Sequence, residues 1–262
     1  MSPYYPYDTV QDKPKVHHTY SVFAGLVHEP VQCTGISDPE SMGALDGPQR
    51  RFALDRTLQT AAAFMKSLEG QARTQPYYNV PCDPECQCGR PHRMTNSLLV
   101  SADGACRGNG MAGARASVGV FFRHGSPYNE AKVLSGANPT NQRAELYAGI
   151  TALQIVGDLL YAPLSEELEG LKDLELLVLK TDSEYLVKGI TEWIYNWRVN
   201  DWSTADGSPV VNADLFKRLD VLVAAYKNQH AITVKFLHVP RELNAGADGL
   251  ANRILDERET AT

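Results

Sequence analysis

The sequence has no long apolar run. No stretch approaches the ~18 residues that a membrane-spanning helix needs, which excludes a helical membrane protein. It has few cysteines, five in 262 residues. That is too few for the disulfide framework of a small secreted domain and suits a reducing compartment. It has no excess of positive charge: 25 Lys and Arg against 31 Asp and Glu give a net charge of −6. Proteins that hold nucleic acid by diffuse phosphate attraction are usually basic, so any such binding must rest on a local site. The stretch MSPYYPYDTVQDKPKVHH lacks both the charged-then-apolar pattern of a signal peptide and the Arg- and Ser-rich pattern of a transit peptide. The expectation is a soluble, intracellular monomer without membrane attachment. Nothing separates nucleus, cytoplasm and mitochondrion.

What is present divides in two. Residues 1–95 show no sustained periodicity. Within them, Gln49 to Arg73 reads as a helix, with Phe52, Leu58, Ala61 and Met65 at helical spacing. The rest of this N-terminal extension reads as loop or disorder. From residue 96 to 258 the pattern is regular. Strands are expected at 97–105, 116–125 and 130–137, joined by short turns as an antiparallel meander. A helix follows at 141–160, with Thr140 as its N-cap. The apolar run 174–181 suits a buried central strand. Two or three helical segments come next, then a strand at 231–239 and a closing helix at 245–258. The order βββαβα(α)βα implies an α/β domain, a mixed sheet with helices packed against it.

Four carboxylates fall in costly places. Asp103 ends the first strand and Asp182 ends the apolar run. Glu145 heads a helical stripe of Gly149, Ala152 and Val156. Asp248 begins the last helix beside Ala247, Leu250 and Ala251. A single Asp at a strand end is usually solvated or capping, so the case rests on the four together. Converging carboxylates repel unless cations neutralise them. Oxygen ligands without His or Cys favour Mg²⁺ or Mn²⁺. Two such ions suit in-line phosphodiester displacement.

At these residues the sequence resembles the type 1 ribonuclease H family. The motifs are SADGACRGNG (101–110), TNQRAE (140–145), TDSEYLVKGITEW (181–193) and GADGLA (246–251), in the family's order and spacing. The resemblance implies an RNase H-like fold: a mixed five-stranded sheet, three antiparallel strands then parallel strands, flanked by helices. It implies cleavage of the RNA strand of RNA–DNA hybrids with two Mg²⁺ ions, leaving 5′-phosphate and 3′-hydroxyl ends. Asp103, Glu145, Asp182 and Asp248 become the catalytic, metal-binding set. The resemblance also assigns Trp193 and Trp197 to a DNA channel, with ordinary helix-face packing equally open. Thr140 and Asn212 become a DNA-phosphate pocket, and Asn109, Asn141 and Gln142 contacts to RNA in the minor groove. Each Asn could instead serve as a turn or cap residue.

The sequence also departs from the family. HVPRELNAGAD (238–248) is shorter than the usual last loop and lacks its second His. His238 reads as a strand-end structural residue, and Ala245 stands where Glu is usual. The handle around 198–211 carries Arg198 but also Asp201 and Asp206. Asn138 stands where animal relatives have an Arg. These departures favour a rival reading, a hybrid-binding or protein-interaction module with weak chemistry. The four intact carboxylates argue against it. Separately, CDPECQCGRPH (82–92) places Cys82, Cys86, Cys88 and His92 within eleven residues. Thiolate and imidazole suit Zn²⁺, but the spacing is not that of a standard finger. A Pro- and Gly-rich linker with reduced thiols is the alternative, and Cys33 and Cys106 read as unligated.

Overall fold

A computed structural model of the chain describes residues 50–52, 65, 66, 68, 76–79, 96–136, 139–163 and 166–259. Its strands are β1 (Ser97–Arg107), β2 (Arg115–Phe121), β3 (Glu130–Leu134), β4 (Leu176–Thr181) and β5 (Thr233–His238). Helix α1 is Asn141–Tyr161, α2 is Glu184–Lys188 and α3 is Ile194–Val199, with a π-helical turn Gly189–Trp193 between the last two. Helix α4 is Ala213–His230 and α5 is Ala245–Glu259. The sheet runs β3-β2-β1-β4-β5. Strands β1, β2 and β3 are antiparallel neighbours, whereas β1, β4 and β5 run parallel. This is the expected mixed sheet.

Alternation along the central strands explains the two-sided burial. Leu98, Val100, Leu177 and Leu179 pack into a large core with Leu146, Ile150 and Leu153 of α1. Leu99, Leu176 and Val178 point to the opposite face and join a second core with Leu237 and Val239. Each such side chain contributes roughly 1.5–3 kcal/mol when fully buried. The stripe Gly149, Ala152 and Val156 is buried, as the pattern predicts.

Two expectations need correction. Strand β1 does not end at Asp103 but continues to Arg107. Residues 97–101 pair with β4 and residues 101–107 with β2, so the pairing with β4, not the strand, stops just before Asp103. Second, Phe52 is not in a helix. Arg51 bridges to Phe236 in β5, and the Phe52 N–H donates to the Phe236 carbonyl at 2.9 Å. An open strand edge has overridden helical spacing. Met65, Lys66 and Leu68 are helical, while Leu58 and Ala61 lie outside the described residues.

The second face of the sheet is covered from two directions. Helix α5 lies over the β1–β3 part, where Ala251 and Leu255 meet Ala105 and Val133. N-terminal residues cover the β4 part: Phe52, Leu68 and Tyr78 are buried in the second core, with Met65 against it. Tyr78 bridges to Leu99, accepting its N–H at 2.9 Å.

Helix α1 approaches β1 very closely. A Cβ on Gly104 would lie 2.1 Å from the Ala144 carbonyl carbon and 2.2 Å from the Glu145 nitrogen. Both are backbone atoms that cannot swing away. Gly104→Ala is therefore expected to lower unfolding free energy by ~3 kcal/mol or more, read from urea denaturation. A wild-type midpoint would show that α1 can move off the strand.

Candidate metal centre

The sheet register builds the site first. Ser101 in β1 is opposite Lys180 in β4. Two residues further along these parallel strands come Asp103 and Asp182, close enough for the Asp182 carboxylate to raise Asp103. Asp103 is 3% exposed and Glu145 9% exposed. Glu145 enters from the first turn of α1, where its Oε2 accepts the Gly104 N–H at 3.2 Å. Absence of a side chain at Gly104 is what lets the helix start descend onto the strand. Asp248 enters from the first turn of α5.

The side chains around the acids are also ordered. Asn244 is fully buried and donates from Nδ2 to Asp182 Oδ1 at 2.8 Å and to the Ala102 carbonyl at 3.0 Å. Its Oδ1 is buried without a partner. Arg241 is ion-paired with Asp248. His238 ends β5, and its Nε2 lies 3.2 Å from the Asp182 carbonyl oxygen. That placement suits a strand-end structural residue. Asp182 is thus held from both its main chain and its side chain.

Electrostatics shows the strain of this gathering. Burial pushes Asp103 up to about 8, helped by repulsion from Asp182 and Asp248 and opposed by Arg241. Burial pushes Glu145 up to about 9, helped by Asp103 and Asp182 and opposed by the Gly104 N–H and Arg241. Asp103 therefore feels the charge of Asp182 and Asp248, and Glu145 that of Asp103 and Asp182. The four acids nevertheless stop short of a finished cage: among the described residues no three His, Cys, Asp or Glu groups stand ready to hold a metal. The donor set is entirely oxygen, which fits hard divalent cations.

A sequence profile of the family described as RNase H matches residues 95–255. The chain belongs to the ribonuclease H family. Ribonuclease H of Pseudomonas fluorescens is 38% identical over 167 residues, covering 63% of this chain and 95% of that protein. Ribonuclease HI of Caulobacter vibrioides is 38% identical over 163 residues, covering 61% and 93%. Ribonuclease H1 of Mus musculus is 32% identical over 164 residues, covering 63% of this chain and 50% of the mouse protein. The family is divalent-metal dependent in general. Among the described residues, no helix is long and apolar enough to cross a membrane.

Around the ribonuclease H acids, the other expected positions separate into groups. Thr140 caps α1, accepting the Arg143 N–H at 3.2 Å. Asn109 Oδ1 accepts the Asn141 N–H at 3.1 Å, so this Asn does serve a helix start. Asn141 and Gln142 are exposed. Asn212 adopts a left-handed conformation before α4 yet makes no side-chain cap bond. Its Oδ1 instead accepts from Arg143 Nη1 at 3.2 Å, and its Nδ2 donates to the Tyr185 hydroxyl at 3.3 Å.

The two tryptophans differ. Trp197 packs against the main core and lies edge-on to Phe216, centroids 5.0 Å apart. Trp193 is half-buried beside Tyr185, at 6.0 Å.

The handle has lost its cation. Arg198 Nε donates to Asp220 Oδ2 at 2.9 Å, and the same buried carboxylate takes Arg50 Nη1 at 2.9 Å. Cys82, Cys86, Cys88, His92, Cys33 and Asn138 lie outside the described residues. Cys106 is a free thiol.

Sequence reasoning missed three residues. Arg143 was legible inside TNQRAE, but its reach to Asn212 and its bidentate pair with Asp214, at 2.7 and 3.1 Å, required the α1–α4 packing. Arg241 was readable only as a short loop. Lys180, 4% exposed, was hidden in an apolar strand.

The raised acids set a pH dependence. An acid whose folded value lies above its unfolded value binds more protons when folded, so stability falls as pH rises between the two values. For Asp103 and Glu145 that interval runs from about 4 to about 9. Chelator-treated protein is expected to lose thermal stability progressively across that interval, and Mg²⁺ to restore more of it at the alkaline end. A shallower profile in Asp103→Asn, and a flat one in the Asp103→Asn, Glu145→Gln double variant, beside a falling wild type would assign the slope to this site.

Proposed function

We propose that this chain is an endonuclease that hydrolyses the RNA strand of RNA–DNA hybrids. In this reading residues 96–258 form the catalytic domain and residues 1–95 its N-terminal extension. One observation carries the reading: four oxygen acids from two strands and two helix starts are gathered where burial and mutual repulsion raise Asp103 and Glu145. A purely binding fold gains nothing from that repulsion.

Asp103, Glu145, Asp182 and Asp248 would hold two Mg²⁺ ions, with Mn²⁺ as an alternative. Bound ions would supply charge neutralisation and Lewis acidity for displacement at phosphorus. The chain's own groups do the rest. Asn244 would keep the Asp182 carboxylate aimed. The Gly104 N–H favours the ionised form of Glu145. Arg241 stands by Asp248 as an exchangeable counter-charge.

The substrate surface follows from the placements above. Thr140 and Asn212, with Arg143 beside them, would take a DNA phosphate. Asn109, Asn141 and Gln142 would face the RNA strand in the wide minor groove. Trp193 would stack against deoxyribose, and Trp197 would support it from the core. The Arg198–Asp220 pairing leaves the handle little to offer a phosphate, so affinity rests on the pocket and groove.

A labelled hybrid incubated with and without Mg²⁺ decides the matter. Cleavage should appear in the RNA strand alone and fall on the order of a thousandfold in Asp103→Asn, a loss of several kcal/mol of transition-state stabilisation. Tight binding without cleavage would establish the binding-module reading instead. A second comparison separates the tryptophans. Trp197→Ala should lose roughly 2–3 kcal/mol of stability, since its ring is partly buried against the core. Trp193→Ala should chiefly raise KM for the hybrid, measured in steady state.

A further inference from the structure

Lysine is among the residues least often fully buried. Lys180 is nevertheless 4% exposed in the middle of the sheet. Its strand neighbours on that face, Leu176 and Val178, belong to the second core, which Leu99, Leu68 and Phe52 complete. A buried ammonium is costly unless a strong oxygen partner meets it. That partner is the Leu243 carbonyl, 2.7 Å from Nζ. Met65 Sδ, from the N-terminal extension, lies at 3.5 Å on the same ammonium.

The identity of the acceptor matters. Leu243 closes the single helical turn Arg241–Leu243 that leads into α5. The first residue of that turn is ion-paired with Asp248. The residue after it, Asn244, holds Asp182 and the Ala102 carbonyl. A bond to a main-chain carbonyl fixes backbone, so it fixes where both of these side chains begin. The covering residues are themselves anchored at two places, by the Arg51–Phe236 and Tyr78–Leu99 bridges. They shield the ammonium from water and leave it directed at Leu243.

We infer that Lys180, covered by the N-terminal residues around Met65, is a positioning residue that sets the turn carrying Arg241 and Asn244 and thereby aims Asp182 and Asp248. The inference deepens the ribonuclease reading and rests on it for the identity of the reaction. It makes the extension part of the working site, acting through the second face of the sheet.

A purely structural role predicts the opposite behaviour to a positioning role. An apolar side chain of similar length removes the desolvation cost of the buried ammonium and leaves only the Leu243 carbonyl unpaired, two effects that largely offset each other in stability. Lys180→Met in the full chain should therefore keep its thermal midpoint. Yet kcat on the hybrid should fall on the order of tenfold or more, since small misplacements of reacting groups are costly, with KM within about twofold of wild type. The amides of Leu243, Asn244 and Asp248 should exchange faster with deuterium. Calorimetric affinity for Mn²⁺ alone should weaken several-fold. Met65→Ala should change amide exchange and Mn²⁺ affinity in the same direction by less.

Lys180→Met with wild-type kcat, turn exchange and Mn²⁺ affinity would overturn the inference. If that variant does not fold, unchanged turn exchange and Mn²⁺ affinity in Met65→Ala would do so. Wild-type protein that leaves hybrids uncut would refute the ribonuclease reading, while the exchange and Mn²⁺ measurements would still judge the positioning role.

Discussion

Like charges do not gather unless the backbone leaves them no choice. Here two constraints remove the choice. The parallel register of β1 and β4 fixes Asp103 beside Asp182. The missing side chain at Gly104 lets the start of α1 descend until Glu145 meets the strand. Large apolar cores on both sheet faces enforce these contacts. Each buried leucine contributes a small amount, but their sum holds an arrangement that the acids alone would dissolve. The stored repulsion is also what makes the site receptive to cations.

Much of this was legible in the sequence. The apolar run before Asp182, the helical stripe behind Glu145 and the small residues around Asp248 each report a buried face. Four motifs in family order add what periodicity cannot. The element order came through because each strand and helix is locally consistent with its tertiary role. Less legible were features that depend on a distant partner. Asp103 reads as a strand end because it follows the apolar Leu98, Leu99 and Val100, although β1 runs on along β2. Phe52 kept a helical spacing but was recruited to an open edge. Lys180 carries a hydrophilic letter in an apolar strand, and only its carbonyl acceptor explains it.

Arginine pairing shows the same lesson in charge. Composition counts Arg198 as a handle cation. Its guanidinium is directed inward, and Asp220 serves it and Arg50 together. Arg143, by contrast, lies where a phosphate is expected but is already paired with Asp214. A residue count therefore overstates the positive charge this surface offers. On the proposed reading, recognition would rest more on shape, amide groups and the half-buried Trp193 than on charge.

The bridge between Arg51 and Phe236 has a consequence of another kind. Strand β5 is the last strand of the sheet, and an uncovered last strand displays a row of free amides and carbonyls. Such a row is a template for pairing with strands of neighbouring molecules. By taking up the Phe236 carbonyl, residues 50–52 occupy that template from within the same chain. That bridge thus blunts one stretch of this edge from within the same chain.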